Sequence, residues 1–389
     1  MGKTNERSDF MPTTNISQNL SSILKAVGFS RKDQLYRVAS YVLALSMPKH
    51  VNETRISNHI PISQSSISRT LSTDAISTQS ITSARVNYIS EFIDSTTLKP
   101  KYLILDETVI KRYGKKKIEK LGKFYSSIEG HSVKGIELLS SLLWIRHDLY
   151  FPLFSDMADV KDENDQAFET STDKFISILE KVEFKDLILL TDSGITCAEI
   201  FAEAKKKGYT LIGRIRKNMN VILNGVPIPL KKLSEQTSEL TSVVVYIPEY
   251  TQQVKLVIDN RLSTRMEEKD KNGRVILCSD ISKGSDEILE HYSKRTYIEL
   301  SFKYAKNELG LKSMVYSARS MLRHVEFVSL FFALWMISQF FLNVKDRLGL
   351  RDFVEQIGIS CFVILLRIIS KDLRYVQKFE IFHRQTCII

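Results

Sequence analysis

Two short apolar runs, each ending in an aspartate, place the strongest constraint on the fold of this chain. Residues 102–106 read YLILD, and residues 187–192 read LILLTD. An apolar run of this length without polar alternation is typical of a strand buried on both faces of a sheet. Between them, residues 163–182 have the apolar spacing of an amphipathic helix. The sequence therefore predicts an α/β fold with Asp106 and Asp192 at strand ends.

Composition excludes several other classes of protein. The chain is 43% hydrophobic and 26% charged, which is ordinary for a folded protein and excludes wholesale disorder or a fibrous repeat. Its 389 residues allow about two to three domains. The net charge of +10 favours an anionic partner, with nucleic acid ahead of an acidic membrane surface. The four cysteines contain no C-x-x-C pair, which predicts reduced thiols in the cytoplasm and neither a disulfide framework nor a zinc site.

One apolar segment, residues 325–344, has about the length of a membrane span. Five polar residues interrupt it: Glu326, Ser329, Ser338, Gln339 and Asn343. A single such helix in a basic chain is more often a buried core helix, so we expect no membrane partner. The alternative, a membrane-associated basic protein, requires this segment to partition into lipid.

The N-terminal region has the pattern of a small helical domain. Residues 32–46 have helical apolar spacing, and two short polar segments, 52–60 and 64–72, follow with a proline between them. Two short helices split by a tight turn are typical of a helix-turn-helix, whose second helix enters the DNA major groove. The residues predicted to face the groove are Gln64, Ser65, Ser66, Ser68 and Arg69, whereas Ile67 and Leu71 would pack inward. A plain packing domain is the alternative.

The sequence pattern divides the remaining chain into further segments. Alternating apolar runs at 216–285 predict a small antiparallel sheet, a long helix follows at 286–311, and apolar helices complete the chain. The predicted division is a helical DNA-binding domain at 1–98, a first core part at 99–215, a β-rich insertion at 216–285, a second core part at 286–345 and a C-terminal helical segment at 346–389.

A third carboxylate, Glu299, lies inside the predicted long helix, which can add a side chain from above the sheet edge. Carboxylates gathered in this way repel one another unless they hold a divalent cation, and hard oxygen ligands suit Mg²⁺ or Mn²⁺. Two such ions about 4 Å apart activate a water or a 3′-hydroxyl in phosphodiester cleavage. Competing carboxylates in the segment 154–165 are Asp156, Asp159 and Asp162.

Five polar side chains share one face of that helix at about 100° per residue. They are Tyr292, Arg295, Glu299, Lys303 and Lys306. An aromatic ring, a guanidinium and ammonium groups beside a metal-binding carboxylate suit phosphate clamping and base stacking. An ordinary charged helix face with i,i+4 ion pairs is the alternative interpretation.

The spacing Tyr292-x-x-Arg295-x-x-x-Glu299-x6-Lys306 matches the Y-R-E-K signature of IS4-type DDE transposases of insertion sequences. The contexts LILDET and ILLTDSG resemble the two aspartate motifs of that family, and a strand-rich insertion precedes the glutamate. The resemblance covers about residues 100–315. It implies an RNase H-like catalytic core in which Asp106, Asp192 and Glu299 bind two Mg²⁺ (or Mn²⁺) ions per active site.

The resemblance also implies partners and roles. Tyr292 and Arg295 would contact phosphates near the transposon end, and Lys306 would contact DNA next to the cleavage site; Lys303 is added from the helical wheel alone. The enzyme would bind terminal repeats and join them to target DNA, as a homodimer on DNA in the nucleoid. A nuclease without strand transfer and a non-catalytic DNA-binding derivative are the alternatives.

Two further features bear on DNA. The segment 111–123 carries seven Lys or Arg, including Lys115, Lys116 and Lys117, and is either a solvated loop or a phosphate-tracking surface that Arg214, Arg216 and Lys217 extend. Some relatives hold a flipped base with a tryptophan from the insertion during hairpin formation. The two tryptophans here, Trp144 and Trp335, lie outside the insertion, which leaves Tyr246 or Tyr250 to stack on a base.

Overall fold

A computed structural model describes ten stretches of the chain: 20–29, 32–45, 63–112, 118–126, 129–160, 168–237, 239–261, 273–312, 317–341 and 349–350. Helices are α1 (20–26), α2 (Lys32–Ala44), α3 (Gln64–Ser72), α4 (Thr78–Thr96), α5 (Ser171–Glu180), α6 (Ala198–Lys206), α7 (Leu230–Glu235), α8 (Ser285–Ser293), α9 (Thr296–Asn307) and α10 (Ala318–Phe341). Strands are β1 (Tyr102–Lys111), β2 (Gly122–Ser126), β3 (His131–Arg146), β4 (Leu149–Met157), β5 (Ile188–Thr191), β6 (Thr210–Arg214), β7 (Asn220–Leu223), β8 (Val226–Pro229), β9 (Leu240–Ile247), β10 (Gln252–Asp259) and β11 (Arg274–Cys278).

The strands of the described residues form one mixed sheet, in the order β2-β3-β1-β5-β6-β11-β10-β9-β7-β8 with β4 paired to β3. β1, β5 and β6 run parallel, and the other pairs are antiparallel. The two apolar runs form β1 and β5, and their residues from Tyr102 to Leu105 and from Ile188 to Thr191 are buried. The prediction of an α/β fold is confirmed.

The strands predicted to form a small antiparallel sheet are antiparallel to one another, and they also continue the core sheet. β11 is hydrogen-bonded to β6, with Ile276 opposite Arg214 and Cys278 opposite Ile212. β10 and β9 then extend the ladder outward. The join was not predicted; it forms because β6 offers its unpaired edge to β11 and pairing satisfies the backbone groups of both strands.

The apolar segment predicted as a core helix forms α10. By length and composition the stretch Ala318–Phe340 would suffice to cross a membrane, but 94% of its most apolar window is buried inside the protein. It packs against β4, α2, α3, α4 and α9. Its burial among polypeptide on all sides is that of a central core helix.

Buried polar contacts join α10 to the N-terminal helices. Arg323 donates to the carbonyls of Thr70, Leu71 and Ile76, which lie at and after the end of α3. Arg85 of α4 forms a buried ion pair with Glu326 at 2.9 Å. These contacts hold the N-terminal helices against the core, because a buried charge without a partner is costly.

The exposed and buried faces of helix α3 are those that the sequence predicts. Ser63 caps it by accepting from the amide of Ser66, and Ile67 and Leu71 are buried. Gln64, Ser65, Ser68 and Arg69 are exposed, and Ser66 is half-buried. The preceding segment 52–60 lies outside the described residues, so the helix-turn-helix stays a prediction, as do the domain boundaries.

Outside the described residues lie the C-terminal helix predicted at 353–370, and Cys361 and Cys387. Cys197 and Cys278 are free thiols.

His324 of α10 gives the fold a dependence on pH. It is fully buried, Tyr41 donates to its Nδ1 at 2.8 Å, and its Nε2 donates to the carbonyl of Gly310 at 2.9 Å. Burial lowers the pKa of His324 from 6.5 to about 4. The neutral ring therefore stabilises the fold fully above pH 6.5, and this contribution of about 3 kcal/mol is lost as the pH falls from 6.5 to 4.

We expect His324→Gln to flatten the dependence of the unfolding free energy on pH between 6.5 and 4, as measured by urea titration. His131 is exposed on β3, so His131→Gln should leave the wild-type slope unchanged. An equal slope in His324→Gln and wild type would assign the acid sensitivity to other groups.

Candidate active site at the edge of the sheet

Two neighbouring parallel strands, β5 and β6, end side by side, whereas β1 runs on beyond them to Lys111 because it stays paired with β3. The prediction of a strand end is therefore wrong for Asp106, which lies inside β1, and right for Asp192, which directly follows β5. Ile104 of β1 is opposite Leu190 of β5, so two residues further along each strand Asp106 lies level with Asp192. Thr191 is opposite Gly213 of β6, which places Arg214 level with Asp192 on the other side. The edge therefore carries two carboxylates and a guanidinium in a row, as expected for the carboxyl ends of parallel strands.

Asp106 is buried at this edge, with only 8% of the residue exposed. Its Oδ1 accepts from the amide of Glu107 at 3.0 Å, and its Oδ2 accepts from Nη1 of Arg295 at 2.8 Å. Burial raises the pKa of Asp106 to about 7; repulsion from Glu107 and Asp192 adds to this effect, and Arg295 opposes it. A buried carboxylate crowded by like charges favours binding of a cation or a proton.

Asp192 begins a tight turn whose hydrogen bonds hold its carboxylate in place. Its carbonyl accepts from the amides of Ile195 and Thr196 at 3.0 and 2.9 Å, and its Oδ1 accepts from the amide of Ser193 at 2.7 Å. The hydroxyls of Thr191 and Thr196 are 2.8 Å apart and tie the start of the turn to its end. Gly213 of β6 lies directly against this hydroxyl pair.

Gly213→Ala is expected to destabilise the protein by about 1–3 kcal/mol, the usual cost of overpacking. A Cβ at Gly213 would come within 2.5 Å of both threonine hydroxyls and would push the turn outward. Thermal unfolding measures the loss. Gly284 is the matched control for crowding, since a Cβ there meets nothing within 4 Å. It is the N-cap of α8, where alanine is less favourable than glycine, so Gly284→Ala should cost about 1 kcal/mol or less. Equal stability of Gly213→Ala and wild type would show that the turn is not held by this packing.

The long helix predicted at 286–311 is in fact two helices, α8 and α9, that meet at Lys294 and Arg295. The hydroxyl of Ser293 donates to the carbonyl of Glu290, and that of Thr296 donates to the carbonyl of Ser293. Such bonds compete with the helical ladder, and the chain takes the tighter i to i+3 spacing there. The break directs Arg295 to the sheet edge.

The signature residues converge on that edge despite the break. The hydroxyl of Tyr292 lies 3.5 Å from Oδ1 of Asp192, and Arg295 pairs with both Asp106 and Glu299. Lys306 donates to the hydroxyl of Thr108 at 2.6 Å and to the carbonyl of Val109 at 2.9 Å. Burial, and to a smaller extent Lys312, lowers the pKa of Lys306 to about 8. Lys306 thus ties α9 to β1, immediately beyond Asp106.

Glu107 is a further carboxylate of the site that sequence reasoning missed. Its Oε1 lies 3.1 Å from the position of a Cβ on Gly194, within the Asp192 turn. Although the residue is exposed, the protein around its carboxyl partly desolvates it and, with repulsion from Glu137 and Asp192, raises the pKa of Glu107 above its usual value. Strand alternation assigns Glu107 to the face opposite Asp106, so only the bend of its long side chain brings it here.

The donor set at this edge fits a hard divalent cation, because Asp106, Glu107, Asp192 and Glu299 offer oxygen atoms alone. In this arrangement the described residues contain no group of three His, Cys, Asp or Glu spaced to hold a metal ion. Arg295 pairs with both Asp106 and Glu299. The competing carboxylates have other partners: Lys174 lies 3.8 Å from Asp156 and 3.3 Å from Asp159. Asp162 lies outside the described residues.

Only some of the predicted DNA contacts lie within the described residues, and some of those already have partners in the protein. Lys115, Lys116 and Lys117 lie outside the described residues. Lys303 is exposed on α9, and Arg69 is exposed on α3, where it donates to the carbonyl of Ser65. Arg216 is exposed and holds the Asp192 turn by donating to the carbonyl of Ser193 at 3.2 Å, whereas Lys217 donates to Ser234.

Of the two tyrosines predicted to stack on a base, Tyr250 is already stacked. Its ring lies parallel to that of Phe201 at 4.9 Å between centroids, and the residue is buried. Tyr246 on β9 is 38% exposed. In this structure Tyr246 alone of this pair has a ring face available to a base.

The sequence in this region matches a known family. Residues 158–336 match the family model described as Transposase DDE domain. The matched stretch contains Asp192 and the residues Tyr292, Arg295, Glu299 and Lys306, whereas Asp106 precedes it. The match supports a DDE transposase. No curated protein sequence matches the chain.

The fold is also similar to that of a solved transposase. The structure of a piggyBac transposase synaptic complex with hairpin DNA superposes with a TM-score of 0.53 and 11% sequence identity. The superposition covers 97% of this chain and 86% of the other. At this identity the likeness concerns the fold, and it extends beyond the family match to nearly the whole chain.

Proposed function

We propose that this chain is the DNA transposase of an insertion sequence, of the IS4 type, with an RNase H-like catalytic core. The observation that carries the proposal is the level placement of Asp106 and Asp192 on neighbouring parallel strands, with Glu299 joined to Asp106 through Arg295. The family match and the fold of the solved transposase support the same activity.

DNA is the proposed partner. The solved neighbour is a transposase on hairpin DNA, and the present chain has a net charge of +10. Arg214 lies level with Asp192, and Arg216 is exposed beside it, so phosphates that approach the carboxylates meet positive charge. The exposed face of α3, including Arg69, would read the terminal repeats in the major groove.

Asp106, Asp192 and Glu299 would hold Mg²⁺ or Mn²⁺, two per site, with Glu107 beside them. When bound, these ions supply Lewis acidity toward a water or a 3′-hydroxyl and toward the leaving oxygen. The chain itself positions the reacting groups: Lys306 holds α9 against β1, and the Asp192 turn holds its carboxylate level with Asp106. Arg295 and Tyr292 would contact phosphates near the transposon end.

Joining two transposon ends to one target requires two active sites. We therefore propose a homodimer on DNA, acting in the nucleoid.

The deciding experiment uses purified protein, Mg²⁺ or Mn²⁺, and DNA carrying the ends that flank its own gene. We expect metal-dependent nicking at the ends and joining to a second DNA, with both lost in Glu299→Gln. Nicking without joining would favour a nuclease. Binding of the ends without nicking by either protein would favour a non-catalytic DNA-binding protein.

A further inference from the structure

Arg295 occupies the carboxylates that are proposed to hold metal. It lies at the junction of α8 and α9, and 15% of its side chain is exposed. Its Nη1 donates to Oδ2 of Asp106 at 2.8 Å, and its Nη2 pairs with Oε1 of Glu299. The guanidinium therefore bridges one carboxylate on the sheet and one on the helix.

The neighbouring carboxylate is also engaged, although more weakly. The hydroxyl of Tyr292 lies 3.5 Å from Oδ1 of Asp192, at the outer limit of a hydrogen bond. Both polar residues of the Tyr-x-x-Arg pair thus contact carboxylates of the site. An oxygen that accepts from a guanidinium offers less of its electron density to a metal ion, and the fixed positive charge repels a divalent cation.

A DNA phosphate at the sheet edge would compete with the carboxylates for this guanidinium. Arginine binds phosphate oxygens in the same forked geometry as it binds carboxylates, and the neighbouring Arg214 and Arg216 would attract phosphates to the same place. Transfer of Arg295 from Asp106 and Glu299 to a phosphate would leave the two carboxylates unpaired beside Asp192 and Glu107. Four carboxylates in that state require a cation.

We propose that Arg295 is a gate that couples DNA binding to metal binding. In the free protein it closes the site by pairing with Asp106 and Glu299, and on DNA it moves to a phosphate and opens the site. This inference rests on the proposed function. Its consequence is reciprocal: DNA tightens metal binding, and metal tightens DNA binding by the same factor, with about 5- to 150-fold as the usual range for such coupling.

The test measures Mn²⁺ binding to the full chain by electron paramagnetic resonance of free Mn²⁺, with and without a short DNA duplex carrying one end of the element. For wild type we expect the duplex to tighten Mn²⁺ binding within that 5- to 150-fold range. Arg295→Gln should bind Mn²⁺ without DNA as tightly as wild type does with it, and added duplex should change its affinity little.

Two further variants sharpen the result. Arg295→Lys keeps the positive charge but loses the forked geometry of the guanidinium. We expect its Mn²⁺ affinity in the free protein to lie between those of wild type and Arg295→Gln. It replaces Arg295→Gln in the test if that variant does not fold. Lys294→Gln is the matched control, because Lys294 is the neighbour of Arg295 at the junction of α8 and α9, while the ion pairs with Asp106 and Glu299 are made by Arg295. It should leave the Mn²⁺ affinity of the free protein close to that of wild type.

Three results would overturn the gate. It is wrong if Arg295→Gln and Arg295→Lys bind Mn²⁺ no more tightly than wild type, or if Lys294→Gln gains as much affinity as they do. In either case, loss of Mn²⁺ binding in Asp106→Asn would show that the proposed metal site itself still stands. If no variant shows Mn²⁺ binding that depends on Asp106, with or without DNA, the metal site of the proposed function fails and the gate fails with it.

Discussion

Asp106→Asn is expected to lower metal-dependent DNA cleavage about 1,000-fold or more. A catalytic metal ion supplies several kcal/mol of transition-state stabilisation, and each 1.36 kcal/mol is a factor of ten in rate. The amide side chain keeps the size of the carboxylate and can still accept from the amide of Glu107, so the backbone of β1 should remain in place. It loses the charge that a divalent cation requires. Single-turnover cleavage of the element's own ends measures the effect.

Asp156→Asn is the matched control for this substitution. Asp156 lies on β4 of the same sheet, and its Oδ1 accepts from the amide of Met157, the same local contact that Asp106 makes with Glu107. Its carboxylate lies 3.8 Å from Nζ of Lys174 and does not belong to the row formed by Asp106, Asp192 and Arg214. Cleavage by Asp156→Asn should stay near the wild-type rate. If Asp106→Asn cleaves DNA at the wild-type rate, the catalytic residues lie elsewhere than at this edge.

Arg85→Met is expected to cost about 3–5 kcal/mol of unfolding free energy, the usual cost of breaking a buried ion pair on one side. Arg85 is 1% exposed and donates to both oxygens of Glu326 and to the carbonyls of Pro152 and Leu153. Methionine fills much of the volume but leaves the Glu326 carboxylate and both carbonyls without these donors. Equilibrium unfolding in urea measures the loss.

A double variant separates the buried charge from the packing. Arg85→Met with Glu326→Leu removes both charges, so we expect it to recover most of the loss seen in Arg85→Met. Arg37→Met is the control at a more exposed pair: Arg37 and Asp33 are one turn apart on α2, and such pairs contribute about 0.3–0.5 kcal/mol. A loss in Arg85→Met no larger than in Arg37→Met would show that the buried pair does not hold α4 to α10.

The positions of Asp106 and Asp192 follow from their local sequence. An apolar run buried on both faces has to be a central strand, and level residues of neighbouring parallel strands lie side by side. The continuation of β1 past Asp106 depends on its pairing with the distant β3 and was not predicted. The helical spacing from Tyr292 to Lys306 likewise predicts that these side chains share a direction. The structure brings Tyr292, Arg295 and Lys306 into contact with the edge. Glu299 is exposed and is joined to the edge through Arg295. These features depend on residues close together in the chain.

The features that could not be predicted depend on distant contacts. The pairing of β6 with β11 joins residues about 60 positions apart, and no local pattern specifies which free edge a strand will meet. The bend of Glu107 toward Gly194 depends on the space left by a glycine in another strand's turn. The break between α8 and α9 had local signals in Ser293 and Thr296, but hydroxyls in a helix often bond without breaking it.

The continuous sheet has a mechanical consequence. Because β11 is bonded to β6, a load on the outer strands β9 and β10 reaches the strands that carry Asp106 and Asp192 through a ladder of backbone hydrogen bonds and not through a hinge. The outer strands and the carboxylate edge should therefore shift together. In the proposed transposase, DNA that pressed on these strands would move them without changing their alignment with the carboxylates.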